Sequence, residues 1–334
     1  MAVSVRDVAN AAGVSVGTVS NVLNRPDRVA PATVARVLAA IDELGFVRND
    51  AARQLRVGRS RSIGLVVLDL RNPFFTEVAR GAEERAAELG MTVLVANSDE
   101  RSDREAMNLD MFEEQRVFGV LVTPVADVLS RVQRLRQHGT PAVLVDRAAK
   151  EPGFASVAVD DVAGGRLAAE HLLEAGRRRI AFVGGPVALR QVGDRLEGAQ
   201  RAVAAVPGAT LEFVGTGALT VAEGRAAAAR ILERPPGSRP DAVFAANDLL
   251  ALGVLQSLVM TGTTRVPEEI ALIGYDDIDF ASAAVVPLSS VRQPASLIGA
   301  TAVDLLVEVA EGRVPQQEQV LFQPELVVRA STSG

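Results

Sequence analysis

The sequence predicts an all-α helix-turn-helix head followed by an α/β body of two doubly wound parallel-sheet lobes. Three observations lead there. Up to Gly45 the apolar residues recur at helical spacing. From Ile63 onward, short β-branched runs alternate with amphipathic stretches of helical length, the pattern of parallel α/β units. Charge divides at the same place: residues 1–62 carry nine Arg against five acids, while the remainder is acidic enough to bring the 334-residue chain to a net −6. A basic head on an acidic body is the distribution expected of a nucleic-acid reader with a separate second domain.

Three helices are expected in the head. Ser4 is an N-cap, followed by Val5, Val8, Ala9 and Ala12 at i, i+3, i+4 and i+7. Gly13 breaks this helix, and Val14 plugs the turn. Ser15 caps a second helix over residues 16–23. The third begins at Pro31, a favoured first position, runs through Val34, Val37, Leu38, Ile41 and Leu44, and stops at Gly45. On the second helix Val19, Val22 and Leu23 share one face; Gly17, Ser20, Asn21 and Asn24 share the opposite one, flanked by Val16. A face of small and amide side chains packs poorly as core, but it suits the major groove, where Asn reaches base edges.

In the body, strands are expected over residues 63–68, 92–96, 120–122, 142–145, 157–159, 180–183, 211–214, 242–245, 270–273 and 289–291, with a terminal strand over 325–329. So many strands fit two doubly wound lobes better than one sheet. What ends them is informative. Asp69 follows Leu68, Asp146 follows Val145, Asp160 follows Val159, Asn247 and Asp248 follow Ala246, and Asp276 follows Tyr275. Ligands of open α/β sheets bind beyond the carboxyl ends of strands, where carboxylates and amides accept hydrogen bonds from hydroxyls. Asp160 or Asp161, and Asn247 or Asp248, stand equally where a helix N-cap belongs. The sequence leaves both roles open.

Composition excludes several chemistries. The chain has no Cys, hence no disulfide, thiolate catalysis or Cys-ligated zinc. Its two histidines, His138 and His171, make no His-rich metal site and read as surface or helix-face residues. Gly184-Gly185-Pro186 and Gly215-Thr216-Gly217 lack the spacing of a dinucleotide site or a P-loop. No nucleophile–base pair is visible, no apolar run has the length of a membrane span, and no signal-peptide pattern opens the chain. The expectation is a cytoplasmic, nucleoid-associated non-enzyme with no cofactor, no metal and no membrane contact.

Val5-Arg6-Asp7-Val8-Ala9, Ala12-Gly13-Val14-Ser15 and Thr18-Val19-Ser20-Asn21-Val22-Leu23-Asn24 resemble the DNA-binding head of the LacI/GalR family of bacterial transcriptional repressors. The similarity continues through Val29, Thr33, Val37, Ala40, Leu44-Gly45-Phe46 and Asn49, then along nearly the whole chain. It implies that the positions of Val16, Gly17 and Asn21 read bases. With the polar face of the helix this gives a candidate DNA-contacting set of Ser15, Val16, Gly17, Thr18, Ser20, Asn21 and Asn24. Because Val16 and Gly17 are small and apolar, base readout falls mainly on Asn21, with Val16 against a thymine methyl. The resemblance also implies that residues 49–56 form a hinge helix that folds on the operator and wedges Leu55 into the minor groove.

For the body the resemblance implies two lobes similar to periplasmic sugar-binding proteins, clasping an effector. Asn72, Phe74, Asp146, Arg147, Asp160, Arg195, Asn247 and Asp276 are the candidate ligand-binding residues. Asn72-Pro73-Phe74-Phe75 supplies an N-cap, a first-turn Pro and an aromatic face for a ring, one Phe being core. Arg195 forks onto adjacent hydroxyls or a carboxylate. Leu219 stands near an aromatic of purine-sensing relatives, which weakens a nucleobase reading. The expected division is a head over residues 1–48 and a hinge and linker over 49–62. The first lobe takes 63–160 with 292–323, and the second takes 161–291 with 324–334. The resulting expectation is a homodimeric repressor on a palindromic operator, with no leucine heptads for a tetramer, and with a monosaccharide as effector. Alternatives are a purine- or nucleoside-responsive repressor, one answering to a protein co-regulator, and a periplasmic-type sugar-binding protein.

Overall fold

The computed structural model describes residues 3–46, 60–125, 128–149, 152–260, 262, 264–313 and 315–333; the segment read as a hinge, with Leu55, lies outside them. The chain divides into two units, residues 1–59 and 60–334.

The head contains α1 (Val5–Ala11), α2 (Val16–Asn24) and α3 (Pro31–Leu44). Ser4 starts α1 through a reciprocal cap: the Asp7 N–H donates to Ser4 Oγ at 3.4 Å, and Asp7 Oδ2 accepts from the Ser4 N–H at 2.8 Å. The Thr18 N–H donates to Ser15 Oγ at 3.1 Å, which starts α2. Gly45, at φ 60°, closes α3. Val8, Ala9, Val19, Val22, Val37 and Ala40 make the core where the three helices meet.

The larger unit begins β1 (Ser62–Val67), α4 (Pro73–Glu88), β2 (Thr92–Asn97), α5 (Ser102–Glu114), β3 (Gly119–Val122), α6 (Leu129–Gln137), β4 (Ala142–Val145) and β5 (Ser156–Val159). It continues α7 (Asp161–Glu174), β6 (Arg179–Gly184), α8 (Arg190–Ala204), β7 (Thr210–Gly215), α9 (Val221–Leu232), β8 (Ala242–Ala245), α10 (Asp248–Met260) and β9 (Ala271–Ile273). It ends α11 (Asp279–Ser282), β10 (Ser290–Arg292), α12 (Ala295–Ala310), β11 (Gln319–Phe322) and β12 (Glu325–Val327).

These strands form two parallel sheets, ordered β11-β5-β4-β3-β1-β2 and β7-β6-β8-β9. Both faces of the first are covered. Val78 and Ala82 of α4 and Ile298 and Ala302 of α12 belong to one core; Leu109 and Phe112 of α5 and Val132 and Leu135 of α6 belong to the other. Strands β3, β4 and β5 are buried along their whole length, which is why they read as unbroken apolar runs. After β9 the chain passes through β10 and α12 to add β11 beside β5. Its end returns to the second sheet, where the Leu272 N–H donates to the Ser331 carbonyl at 2.8 Å.

Two differences from the sequence expectation stand out. β11 is an additional strand, and the run at 289–291 keeps only isolated parallel bridges, Ser289 with Ile273 and Arg292 with Asp276, while β10 pairs antiparallel with β12, Val291 opposite Leu326.

Helices α7 and α8 approach closely through reciprocal glycines. A Cβ on Gly165 would lie 2.0 Å from the Arg195 carbonyl oxygen, and one on Gly198 would lie 2.0 Å from that of Val162. Backbone cannot rotate out of such an overlap. Gly165→Ala is therefore expected to lower stability by about 1–3 kcal/mol, because α8, which carries Arg195, must move away. Urea denaturation checks this; an unchanged midpoint would mean that the two helices part freely.

Candidate ligand cleft and DNA-reading helix

Between the two sheets lies a cleft with about 440 Å³ of empty space. Its walls are the carboxyl ends of strands and the first turns of the helices that follow. Asn72 caps α4, its Oδ1 accepting the Phe74 N–H at 3.1 Å, while its Nδ2 crosses the cleft and donates to Asp276 Oδ2 at 2.9 Å. Phe74 and Phe75 pack edge to face at 5.0 Å, and both line the cleft. Asp146 follows β4 in a left-handed conformation, φ 57°. Gln191 reaches across from α8, donating through Nε2 to the Asp146 carbonyl at 2.9 Å and to Oδ2 at 2.8 Å.

Arg195 is buried on the same side of α8, one helical turn beyond Gln191. Its Nε donates to Asp161 Oδ1 at 2.8 Å, and one Nη donates to the Ala246 carbonyl at 2.8 Å. The guanidinium lies 3.7 Å from the Tyr275 ring centroid and 3.8 Å from Asp276 Oδ1. Burial works against its charge, but Asp161, Tyr275 and Asp276 outweigh that and hold it above the ordinary range. Asp276 also accepts Gln293 Nε2 at 2.8 Å. Asn247 caps α10 by accepting the Leu250 N–H at 2.9 Å, and donates to the Leu219 carbonyl at 3.3 Å.

The cleft is short of donors. Burial, then repulsion from Asp161, raises the Asp146 carboxyl well above the carboxylate range, and burial also raises Asp276. Asp146 Oδ1, Gln191 Oε1 and Gln293 Oε1 are buried with no hydrogen-bond partner. Such atoms cost stability unless something donates to them. A ligand rich in hydroxyl or amino groups supplies that.

Of the residues expected from sequence, Asn72, Phe74, Asp146, Arg195, Asn247 and Asp276 line the cleft; Arg147 and Asp160 do not. Asp160 caps α7, its Oδ1 accepting the Ala163 N–H at 2.9 Å, and its neighbour Asp161 takes the contact with Arg195. The turn at Asp146 carries the chain out of the cleft, leaving Arg147 half-exposed and close enough to Glu105 to act on its charge. Gln191, Gln293, Glu100 and Asp161 were not expected. The spacing of Gln191 from Arg195, i and i+4 on one helix, is the signal that could have found the first of them.

On α2, Ser15, Val16, Gly17, Asn21 and Asn24 are exposed, Thr18 and Ser20 half-buried. Two of them are tied locally: Thr18 Oγ1 shares a hydrogen bond with Ser15 Oγ at 2.9 Å, and Asn24 Nδ2 donates to the Ser20 carbonyl at 2.7 Å. A Cβ at Gly17 would meet only Ser15 Oγ, at 3.6 Å, so packing does not demand glycine there.

Comparison with known proteins decides the family. Residues 4–49 match the model of bacterial regulatory proteins of the lacI family, and residues 169–332 match a periplasmic binding protein-like domain. The chain is 33% identical to the HTH-type transcriptional repressor PurR of Aliivibrio fischeri, over 99% of this chain and 98% of that protein. The chain belongs to the lacI family. This lacI-family chain is also 33% identical to the ribose operon repressor of Escherichia coli, over 98% of its own length and 99% of that repressor. Its fold matches the lac repressor dimer bound to operator and the anti-inducer ONPF, with a TM-score of 0.86, 29% identity and 99% of each chain covered. The protein is thus a ligand-responsive DNA-binding transcriptional repressor, with a helix-turn-helix head and a two-lobed sensor.

Proposed function

We propose that this lacI-family repressor binds a palindromic operator as a homodimer through α2, and is switched by a monosaccharide held between its lobes, without catalysing a reaction. The observation that carries the effector reading is the pair of buried acceptors in the cleft that Phe74 lines: Asp146 Oδ1 and Gln191 Oε1 lack donors, while Asn72 Nδ2 and Arg195 Nε are taken up by Asp276 and Asp161. Hydroxyls spaced around a sugar ring satisfy such acceptors, and Phe74 offers an apolar face. The division into lobes at 63–160 with 292–323, and 161–291 with 324–334, is part of this reading, as is a hinge over 49–62 with Leu55. The relative named for the ribose operon supports a pentose as the first compound to try. Apolar side chains of Leu189 and Val192 in the cleft favour a nucleoside as the second.

Exposed Leu94 and Val95 on the edge strand β2, Met107 and Met111 on α5, and Met260 and Phe280 in the second lobe support self-association. The lac repressor match, solved as a dimer on operator, supports the same assembly. Sedimentation is expected to give a dimer at micromolar protein, and selection from random DNA a two-fold symmetric site. In a thermal-shift panel of monosaccharides and nucleosides, a monosaccharide is expected to raise Tm. A stable tetramer would remove the dimer, and a response confined to nucleosides would replace the sugar by the second reading.

A further inference from the structure

We infer that Glu100 is a specificity-determining residue of the cleft, and that it selects an effector carrying a protonated amine, an amino sugar rather than its neutral parent. The inference rests on the cleft being the effector site.

Glu100 sits in the turn between β2 and α5, on the opposite side of the cleft from α8 and α9. It lines the same cavity as Phe74, Asp146 and Arg195. Asp99 and Glu100 are consecutive non-glycine residues in the left-handed region, at φ 54° and 56°. Such residues store backbone strain that the surrounding structure must hold. The turn is pinned there by the Glu100 N–H, which donates to the Leu68 carbonyl at 3.1 Å. The side chain is thereby held half-buried, and the backbone N–H of Leu219 across the cleft is near enough to favour its charged form.

The charges facing it are unbalanced. Its neighbours are Asp69 at the end of β1, Arg71 in the turn after it, and Asp99 beside it. Arg71 is shared between Asp69 and Asp99, at 2.9 Å from each, and Arg104 donates to Asp99 at 3.0 Å. Among the described residues no ion pair reaches Glu100. From the second lobe the neutral Leu219 N–H lowers its pKa. Burial, then repulsion from Asp69, pushes its carboxyl up to about 7. In the same cleft Asp146 Oδ1 is buried without a hydrogen-bond partner, with the charge of Arg195 acting on it from nearby. Arg195 is committed to Asp161 at 2.8 Å. A neutral sugar closes the cleft over a carboxyl that must take up a proton. An ammonium group replaces that proton and pairs with the carboxylate.

The sign of the pH dependence follows. The carboxyl is raised in the cleft as it stands, so binding of a neutral ligand that keeps it buried is favoured below the ordinary carboxylate range and weakens as pH rises through about 7. Binding of an ammonium requires the ionised form and tightens over the same interval.

The test is calorimetry on the intact protein with matched probes: glucose, glucosamine and N-acetylglucosamine, and the galactose counterparts. Wild type is expected to bind one free amino sugar about tenfold more tightly than both neutral relatives, and to tighten on it from pH 5.5 to 7. Glu100→Gln should erase the preference and the pH slope while leaving Tm unchanged. If neutral sugars bind as well as the amino sugar, and Glu100→Gln changes nothing, the cleft remains the effector site and Glu100 loses this role. If none of these hexoses binds even with Glu100 intact while a pentose of the thermal-shift panel does, the amine selection falls and the monosaccharide reading stands; if no pentose binds either, both fall.

Discussion

Arg195→Ala is expected to abolish effector binding and to destabilise the sensor by about 3–5 kcal/mol, the cost of removing one partner from a buried ion pair. The guanidinium is 4% exposed. It is the cation for Asp161 at 2.8 Å and stands 3.8 Å from Asp276. Without it, those carboxylates remain buried among one another, and burial already raises both. Protonation relieves part of the strain, so the variant should be least stable at neutral pH and recover toward acid. Arg195→Lys keeps a charge but not the planar fork; it should fold better than the alanine variant and still fail to bind. Tyr275 is the only Tyr in a chain without Trp, and its ring lies under the guanidinium. Tyrosine emission therefore follows both unfolding and ligand titration. Saturable binding that survives Arg195→Ala would move the effector out of this cleft.

Asn21→Ala should act at the other end of the chain. Asn21 is exposed on α2, opposite the buried Val19 and Val22, so its loss should leave the head folded. Removing a bidentate contact to a base edge costs about 1–3 kcal/mol, and a two-headed complex loses it twice. The distinguishing result is a change of base preference at two symmetric operator positions, measured by binding to a set of operator variants. Equal weakening on every variant would assign Asn21 to the phosphate backbone instead. Ser20 and Asn24, which hydrogen-bond to each other's turn of helix, should matter less.

How far the sequence reveals this molecule depends on how local each determinant is. The central strands are legible because burial on both faces leaves them apolar throughout, as with Val120-Leu121-Val122. The caps at Ser4, Ser15 and Asn72 are legible because each side chain bonds to a backbone N–H within three residues. β11 is harder to read: it is an edge strand with half its residues exposed, and its short apolar run Val320-Leu321-Phe322 has no Asp or Asn at its carboxyl end. Nor can a three-residue run such as Ser290–Arg292 disclose that its partner, β12, runs antiparallel. At the site, carboxylates at strand ends were visible as a class, but their roles were not. Asp160 and Asp161 are adjacent, and only the placement of α8 decides that the second meets Arg195 while the first caps a helix. Glu100 gives no sequence signal, because a turn in left-handed conformation brings it to the cleft.

The central claim is that one chain couples a cleft to a DNA-reading head. Two linked sites must change each other's affinity by the same factor. The most direct measurement is the reciprocal one: operator affinity by fluorescence anisotropy with and without the ligand found in the thermal-shift panel, and affinity for that ligand with and without operator. Equal factors of roughly 5–150 are expected in both directions, corresponding to about 1–3 kcal/mol, with no coupling in Arg195→Ala. Ligand binding in the cleft that leaves operator affinity unchanged would contradict the claim.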